Sequence, residues 1–180
     1  MTDTLDSSVT LITGVMAAGK STVAQALAER LPRAAHVRGD VFRRMVVSGR
    51  VEMGSPDETE ALAQLRLRYR LSAMTADAYA AAGMAAIVQD IVIGAELSAY
   101  VGLVRTRPLY VVVLAPSAVE VARRDAAREK TGYGPHFAVA ELDRGLREET
   151  PGLGLWLDTS GLTVDETVDE VLRRLPEARV

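Results

Sequence analysis

A glycine-rich segment near the amino terminus carries the clearest chemical signal in the chain. Residues Gly14–Thr22 read GVMAAGKST, which fits the pattern G-x-x-x-x-G-K-[ST], and they follow the apolar run Val9–Thr13. Such a loop turns consecutive backbone N–H groups inward, and the helix predicted after it, Ser21–Leu31, adds its positive amino-terminal end. Lys20 then reaches the β- and γ-phosphates of a nucleoside triphosphate, and the Ser21 hydroxyl is a ligand for Mg²⁺. The sequence therefore predicts a nucleotide site with ATP and Mg²⁺, whose nucleotide-binding residues are Gly14, Ala17, Ala18, Gly19, Lys20, Ser21 and Thr22.

The elements that must position this loop alternate between strand and helix along all 180 residues. This alternation predicts an α/β fold of three layers, in which helices flank a five-stranded parallel sheet as in P-loop NTPases. We interpret residues 1–180 as one domain, with a short lid at about 128–138 and an acceptor-binding region at about 40–82. The predicted strands are Val9–Thr13, Ala35–Arg38, Ala85–Gln89, Leu109–Leu114 and Leu155–Asp158. The other predicted helices are Val41–Ser48, Asp57–Ala82, Ala95–Val104, Ser117–Glu129, Ala138–Glu148 and Val164–Leu175.

Two aspartates follow predicted strands and become candidates for acid–base and metal chemistry. Asp40 follows the second strand and Asp90 the third, and ligands of open parallel sheets bind at these strand ends. A carboxylate there accepts a proton from a substrate hydroxyl or holds Mg²⁺. We predict Asp40 as the general base, because Gly39 beside it leaves room for a substrate, although Asp40 also fits the N-cap of the next helix. Asp90 is predicted to contact the metal or the substrate.

Arginines form the second group of candidates. Arg43 and Arg44 lie three and four residues after Asp40 and are predicted to bind substrate. Arg124 and Arg128 are spaced to project together from the helix that leads into the lid, and arginine suits a transferring phosphoryl group. Pairing with Asp125 and Glu129 is the alternative for that helix. We interpret Arg66, Arg68 and Arg70 mainly as a solvated face.

Gly49–Asp57 is an irregular segment inside the acceptor region, and it either closes over the substrate or forms a surface turn.

Two predicted helices begin at residues whose side chains can cap the first turn. Ser117 is predicted to be an N-cap, and Thr163 begins a capping box with Glu166.

Composition narrows the classes of function. A net charge of −3 argues against a general nucleic-acid-binding surface, which would be basic. The chain has no cysteine and two histidines, so thiolate and histidine-based metal sites are excluded. No apolar run is long enough to span a membrane, and the first residues do not resemble a signal peptide. We therefore predict a cytoplasmic protein, a monomer or homodimer, whose partner is a small-molecule hydroxyl acceptor, with neither nucleic acid nor membrane.

Four segments together resemble the chloramphenicol-phosphotransferase-like group of P-loop kinases, which are relatives of gluconate, shikimate and nucleotide kinases. They are Ala18-Gly19-Lys20-Ser21, Gly39-Asp40, Arg124 to Arg128, and Asp158-Thr159-Ser160-Gly161. The resemblance implies that Asp40 is the base toward the acceptor hydroxyl and that Arg128, with Arg124 close behind, stabilises the transferred phosphoryl group. It also implies that Thr159, Ser160 and Gly161 help to hold the base of ATP.

The residues and the resemblance together predict an ATP-dependent O-phosphotransferase that acts on a small molecule, with an antibiotic as the first candidate. A nucleoside or metabolite kinase of primary metabolism is the alternative. With only two Phe and one Trp, the chain has few side chains on which a nucleobase acceptor could stack. A regulatory NTPase without an acceptor is a third possibility, and it would hydrolyse ATP on its own.

Overall fold

The computed structural model describes residues 5–127 and 139–180 of the chain. Its centre is a sheet of five parallel strands in the order β2-β3-β1-β4-β5. The strands are β1 (Val9–Thr13), β2 (Ala34–Arg38), β3 (Ala85–Gln89), β4 (Leu109–Leu114) and β5 (Leu155–Leu157). β1, β3 and β4 are buried along their whole length, as strands covered on both faces must be. The predicted α/β fold with a five-stranded parallel sheet is confirmed.

Helices cover the sheet and join its strands. They are α1 (Lys20–Glu29), α2 (Gly39–Arg44), α3 (Glu58–Ala81), α4 (Ala95–Leu103), α5 (Ala118–Ala126), α6 (Val139–Arg144) and α7 (Val164–Arg173). α1 packs against α7 and α3 packs against α4. The connection from β1 to β2 and the connection from β2 to β3 cross the sheet in opposite directions. Because such crossovers are right-handed, α1 and α3 lie on opposite faces of the sheet.

Most predicted helix boundaries lie within one to three residues of the observed ones, and two predicted helices differ more. α2 ends at Arg44, four residues before the predicted end. The predicted helix 138–148 is α6 followed by a π-helical turn, Gly145–Glu149. Both predicted capping signals are confirmed: Ser117 caps α5, and Thr163 and Glu166 form a capping box on α7.

Register places the predicted site residues at one edge of the sheet. β2 and β3 pair so that Arg38 lies opposite Gln89, which brings Gly39 beside Asp90 where the two strands end. β1 lies between β3 and β4, and the glycine-rich loop follows its carboxyl end. No helix among the described residues is long and apolar enough to cross a membrane.

Candidate active site

The glycine-rich loop has the backbone that its motif requires. Gly14 and Gly19 have φ of 141° and 95°, in the region that favours glycine. A Cβ on Gly14 would lie 2.4 Å from the carbonyl oxygen of Leu114, so this position also has no room for a side chain. Ala17 adopts φ of 60°, which an L-residue rarely does. The loop is thus held in a curled form that directs backbone N–H groups toward a ligand.

Lys20 and Ser21 open α1 at the end of this loop. The Lys20 ammonium donates a hydrogen bond of 2.6 Å to the carbonyl oxygen of Val15, and the residue is only 8% exposed. The Ser21 hydroxyl donates to the side-chain oxygen of Gln89, 3.2 Å away. A buried ammonium inside a loop of backbone donors is a site for polyanionic phosphate.

Gln89 is a site residue that the sequence analysis missed. It is the last residue of β3, it is buried, and its amide reaches Ser21 across the start of α1. The signal that could have identified it is its position directly before Asp90, at the carboxyl end of a buried strand. Gln89 ties the end of β3 to the phosphate loop.

The oxygens around Ser21 fit a magnesium ion that is bound mainly by phosphates. Mg²⁺ prefers oxygen ligands and commonly takes only one or two from the protein when phosphates supply others. Here the Ser21 hydroxyl and the Gln89 amide oxygen are adjacent, and no cluster of three or more His, Cys, Asp or Glu side chains exists in the described part of the chain. The metal role of Ser21 therefore fits, and that of Asp90 stays a prediction.

Asp90 is buried, and it is paired with a cation. One carboxylate oxygen accepts hydrogen bonds of 2.7 Å from the Arg68 guanidinium and from the backbone N–H of Ile91. Its other oxygen is buried and has no hydrogen-bond partner among the described residues. Burial raises the pKa of this carboxyl, while the positive charges of Arg68 and Lys20 act in the opposite direction. Asp90 thus connects acceptor helix α3 to the vicinity of the phosphate loop.

The contact between Gly39 and Asp90 corrects one expectation. A Cβ on Gly39 would lie 1.9 Å from the second oxygen of Asp90. The space that we expected a substrate to use beside Gly39 is therefore filled by the protein's own carboxylate. The absence of a side chain at Gly39 brings the start of α2 and the end of β3 together.

Asp40 lies in the first turn of α2 and is not its N-cap, because that position belongs to Arg38. One of its carboxylate oxygens accepts a 2.7 Å hydrogen bond from Arg44, one turn along the helix. The other is 3.8 Å from the Arg38 guanidinium and has no hydrogen-bond partner in the described structure. This second oxygen is itself buried, although the Asp40 side chain as a whole is 39% exposed and that of Asp90 only 5%.

The arginines differ from their predicted surroundings. Arg44 is bonded to Asp40, and Arg43 donates a 2.6 Å hydrogen bond to Glu52, so both have partners within the chain. Arg68, which we placed on a solvated face, is 15% exposed and pairs with buried Asp90. This error arose because α3 alternates arginine with leucine and tyrosine from 65 to 70, which hides the helical period.

Arg124 bridges two parts of the predicted nucleotide site. Its guanidinium donates 2.7 Å to the carbonyl oxygen of Thr159 and 3.4 Å to that of Ala18 in the phosphate loop. Its Nε donates 2.7 Å to Glu120, so the alternative pairing with Asp125 is not the contact seen for this side chain. Arg124 therefore links the phosphate loop to the loop after β5, and its role toward ATP stays a prediction. Arg128 and the predicted lid, 128–138, lie outside the described residues.

The loop after β5 is fixed to the start of α5. The Ser160 hydroxyl accepts a 2.8 Å hydrogen bond from the backbone N–H of Ser117 and donates to Asp158. The Thr159 hydroxyl is buried and has no hydrogen-bond partner among the described residues, and open space surrounds Gly161. Gly161 leaves open space beside this loop, and the role of Thr159, Ser160 and Gly161 toward the base of ATP stays a prediction.

A cavity opens between α2 and α3, inside the predicted acceptor region. Its polar lining residues have partners within the chain: Arg43 pairs with Glu52, Arg68 with Asp90, and Gln64 with the backbone of residues 49–51. The Nε of Arg68 is buried and has no hydrogen-bond partner among the described residues. Gln64 anchors residues 49–51 of the predicted irregular stretch to α3. The remaining lining is mostly apolar and consists of Phe42, Val46, Val51, Met53, Ala61, Leu65, Leu67 and Leu71.

Replacing Glu120 with Gln tests whether Arg124 needs its carboxylate partner. Arg123 and Arg124 lower the pKa of Glu120 from 4.5 to about 2, so the carboxylate form is the one that folding favours. This contribution to stability is present above pH 4.5 and is lost as the pH falls toward about 2. We expect Glu120→Gln to reduce the acid dependence of unfolding between these pH values and to weaken ATP binding several-fold, measured by thermal melts and titration calorimetry. Unchanged ATP affinity would show that Arg124 is placed by Thr159 and Ala18 alone.

Comparison with known families gives one match. A family model described as an AAA domain matches residues 9–149, which includes the glycine-rich loop, Asp40, Asp90 and Arg124. Comparison with curated proteins finds no significant match.

Solved structures with this fold are numerous, and several are kinases by name. An APS kinase of Mycobacterium tuberculosis, in complex with AMPPNP and APS, is 21% identical, with 94% of this chain and 97% of that chain covered and a TM-score of 0.69. A sugar kinase of Janibacter sp. is 20% identical, with 95% of both chains covered and a TM-score of 0.67. A tunicamycin resistance protein of Deinococcus radiodurans is 15% identical, with 96% and 97% covered and a TM-score of 0.62. The predicted P-loop kinase fold is confirmed, and the narrower resemblance to chloramphenicol phosphotransferases stays a prediction.

Proposed function

This chain belongs to the AAA-domain family, and from that premise we propose that it is an ATP-dependent phosphotransferase acting on a hydroxyl group of a small molecule. One observation carries the proposal: the phosphate loop and the carboxylates of Asp40 and Asp90 meet at one edge of the sheet, beside a cavity in the acceptor region. A phosphate site alone would serve any nucleotide-binding protein. A carboxylate and an acceptor cavity beside it are what transfer to an alcohol needs.

The phosphate side of the proposed reaction uses groups already in place. The loop amides and the Lys20 ammonium bind the β- and γ-phosphates, and Arg124 lies across the nucleotide site. Ser21 and Gln89 would hold Mg²⁺, which neutralises phosphate charge when it is bound. Because Lys20 is buried, its charge acts with less screening by water.

The acceptor side depends on two carboxylates with different roles. Asp40 orients the acceptor hydroxyl and takes its proton, since its side chain is 39% exposed and a substrate can reach it. Asp90 has its oxygens against Arg68 and Gly39, so it positions α2 and α3 around the cavity. The Arg44 pairing keeps the Asp40 carboxylate oriented.

The cavity lining favours an acceptor with a large apolar part, because most of the lining is apolar and Arg43, Glu52 and Gln64 already have hydrogen-bond partners. Many antibiotics combine apolar bulk with a hydroxyl group, and the tunicamycin resistance protein shares this fold. We therefore propose an antibiotic as the acceptor. The alternative is a metabolite kinase, which the sugar kinase and APS kinase neighbours support equally.

A screen of acceptors tests the proposal. The protein is incubated with ATP and Mg²⁺ and with hydroxylated antibiotics, sugars or nucleosides, and products are detected by the mass gain of one phosphoryl group. We expect transfer to an apolar hydroxylated antibiotic and slow ATP hydrolysis without an acceptor. Transfer only to sugars or nucleosides would favour the metabolite kinase. ATP hydrolysis at full rate with no acceptor present would contradict both and support a regulatory NTPase.

A further inference from the structure

The outward side of α3 carries apolar side chains that are exposed in the described structure. Met74 is 67% exposed, Leu67 39% and Leu71 36%, although all three lie within a regular helix. Alanines extend the same side toward both ends of the helix. We define the α3 face as Ala63, Leu67, Leu71, Met74, Ala78 and Ala81, all of which are exposed and recur at intervals of three or four residues.

A groove runs beside this face, between α3 and the segment that follows α4. Met74, Ala78 and Leu103 supply its apolar surface, and Leu103 is itself 36% exposed. Charged side chains line the same groove, with Arg70 and Arg105 positive and Asp77 negative. An exposed apolar patch with a charged border is typical of a surface that binds another protein.

The positions of Arg70 and Asp77 along α3 indicate which partner this face would bind. Arg70 and Asp77 are seven residues apart, so they lie on the same flank of α3, two turns from each other. If a second α3 helix packs antiparallel across a twofold axis near residue 73, each Arg70 faces the Asp77 of the other copy. The same operation brings the two copies of Met74 together near the axis. We propose that the α3 face binds a second copy of this chain, with the two α3 helices antiparallel.

The Asp77 carboxylate is held in place at the border of the groove. It accepts hydrogen bonds of 2.9–3.2 Å from the backbone N–H groups of Arg105 and Thr106. A carboxylate has about four lone-pair sites, so capacity for an arginine from the partner remains. Arg70 is exposed and makes no hydrogen bond or ion pair among the described residues.

The α3 face runs along most of a long helix. From residue 63 to residue 81 it extends about 27 Å. Leu67 and Leu71 also line the cavity between α2 and α3, so this face adjoins the proposed acceptor site. The proposal concerns assembly and does not rest on the reaction performed there.

Sedimentation velocity of the full chain tests the proposal, with protein at about 1–100 μM. We expect a dimer of twice 19.3 kDa for the wild type and a monomer for Met74→Asp. Val119→Asp is the matched control, because Val119 is also an exposed apolar helix residue, at 81%, and lies on α5. It should remain dimeric. Arg70→Glu should weaken the dimer roughly tenfold, since two symmetry-related ion pairs are lost.

A wild type that is monomeric throughout this range would overturn the proposal, as would a dimer that Met74→Asp leaves intact. So would a wild type that is monomeric alone but binds a different protein through this face.

Disulfide trapping tests the antiparallel orientation without relying on a destabilising variant. The chain has no cysteine, so single cysteines give unambiguous products. Near the axis, Met74→Cys should form an intermolecular disulfide under mild oxidation. Ala78→Cys should not, because its two copies would lie roughly 15 Å apart along the helices. Equal trapping at both positions would indicate parallel helices and overturn the proposal, as would trapping at neither.

Discussion

Lys20→Ala is expected to lower kcat for phosphoryl transfer by about 10³-fold, the upper range for removing one preorganised electrostatic group. The Lys20 ammonium is buried within the loop and bonded to the Val15 carbonyl, so its charge is positioned before any ligand arrives. Alanine removes that charge and leaves the backbone donors of the loop unchanged. Activity is measured as phosphorylated acceptor formed per unit time.

The same substitution should have a small effect on folding. Losing the hydrogen bond to Val15 costs about 1 kcal/mol, which corresponds to a fall in Tm of roughly 2–4 °C for a chain of this size. Arg30→Ala is the control, since it removes a positive charge just beyond α1 that pairs with Asp165 and Asp169. It should leave kcat unchanged. Near-normal turnover by Lys20→Ala with any acceptor would disprove the proposed phosphotransferase.

Local chemistry made the phosphate loop and the parallel sheet predictable. The loop depends on glycines at fixed spacing and on the strand before it, all within about 20 residues. The strands are short, apolar and separated by helical segments, so the fold class follows from pattern alone. Helix ends with strong capping residues, such as Ser117 and Thr163, were also predictable.

Contacts between distant segments were not predictable in the same way. Gly39 and Asp90 touch only because β2 pairs with β3, with Arg38 opposite Gln89, and no local pattern specifies that pairing. Once the strand order is known, both the Gly39–Asp90 contact and the Gln89–Ser21 contact follow from register. Predicting the Arg68–Asp90 contact would have required knowing which side of α3 faces the sheet. The sequence around Arg68 does not reveal that side, because leucine, tyrosine and arginine alternate there.

Asp40→Asn is expected to lower kcat by roughly 10²–10⁴-fold, the range for loss of a general base, with ATP affinity preserved. Asparagine keeps the shape and can still contact Arg44, but its amide cannot take the proton of the acceptor hydroxyl. Because the Asp40–Arg44 pair is partly exposed, its loss should change the free energy of unfolding by no more than about 1 kcal/mol.

Asp90→Asn provides the contrast that identifies the base. Asp90 is buried against Arg68, and removing one member of a buried ion pair costs about 3–5 kcal/mol, because the other charge stays buried without its partner. We therefore expect Asp90→Asn to lower Tm markedly and to reduce activity along with stability. If the reduction depends on Mg²⁺ concentration, Asp90 also contributes to the metal site, as the sequence predicts. If instead Asp40→Asn keeps its kcat while Asp90→Asn loses it at unchanged Tm and at every Mg²⁺ concentration, Asp90 is the base and Asp40 only holds Arg44.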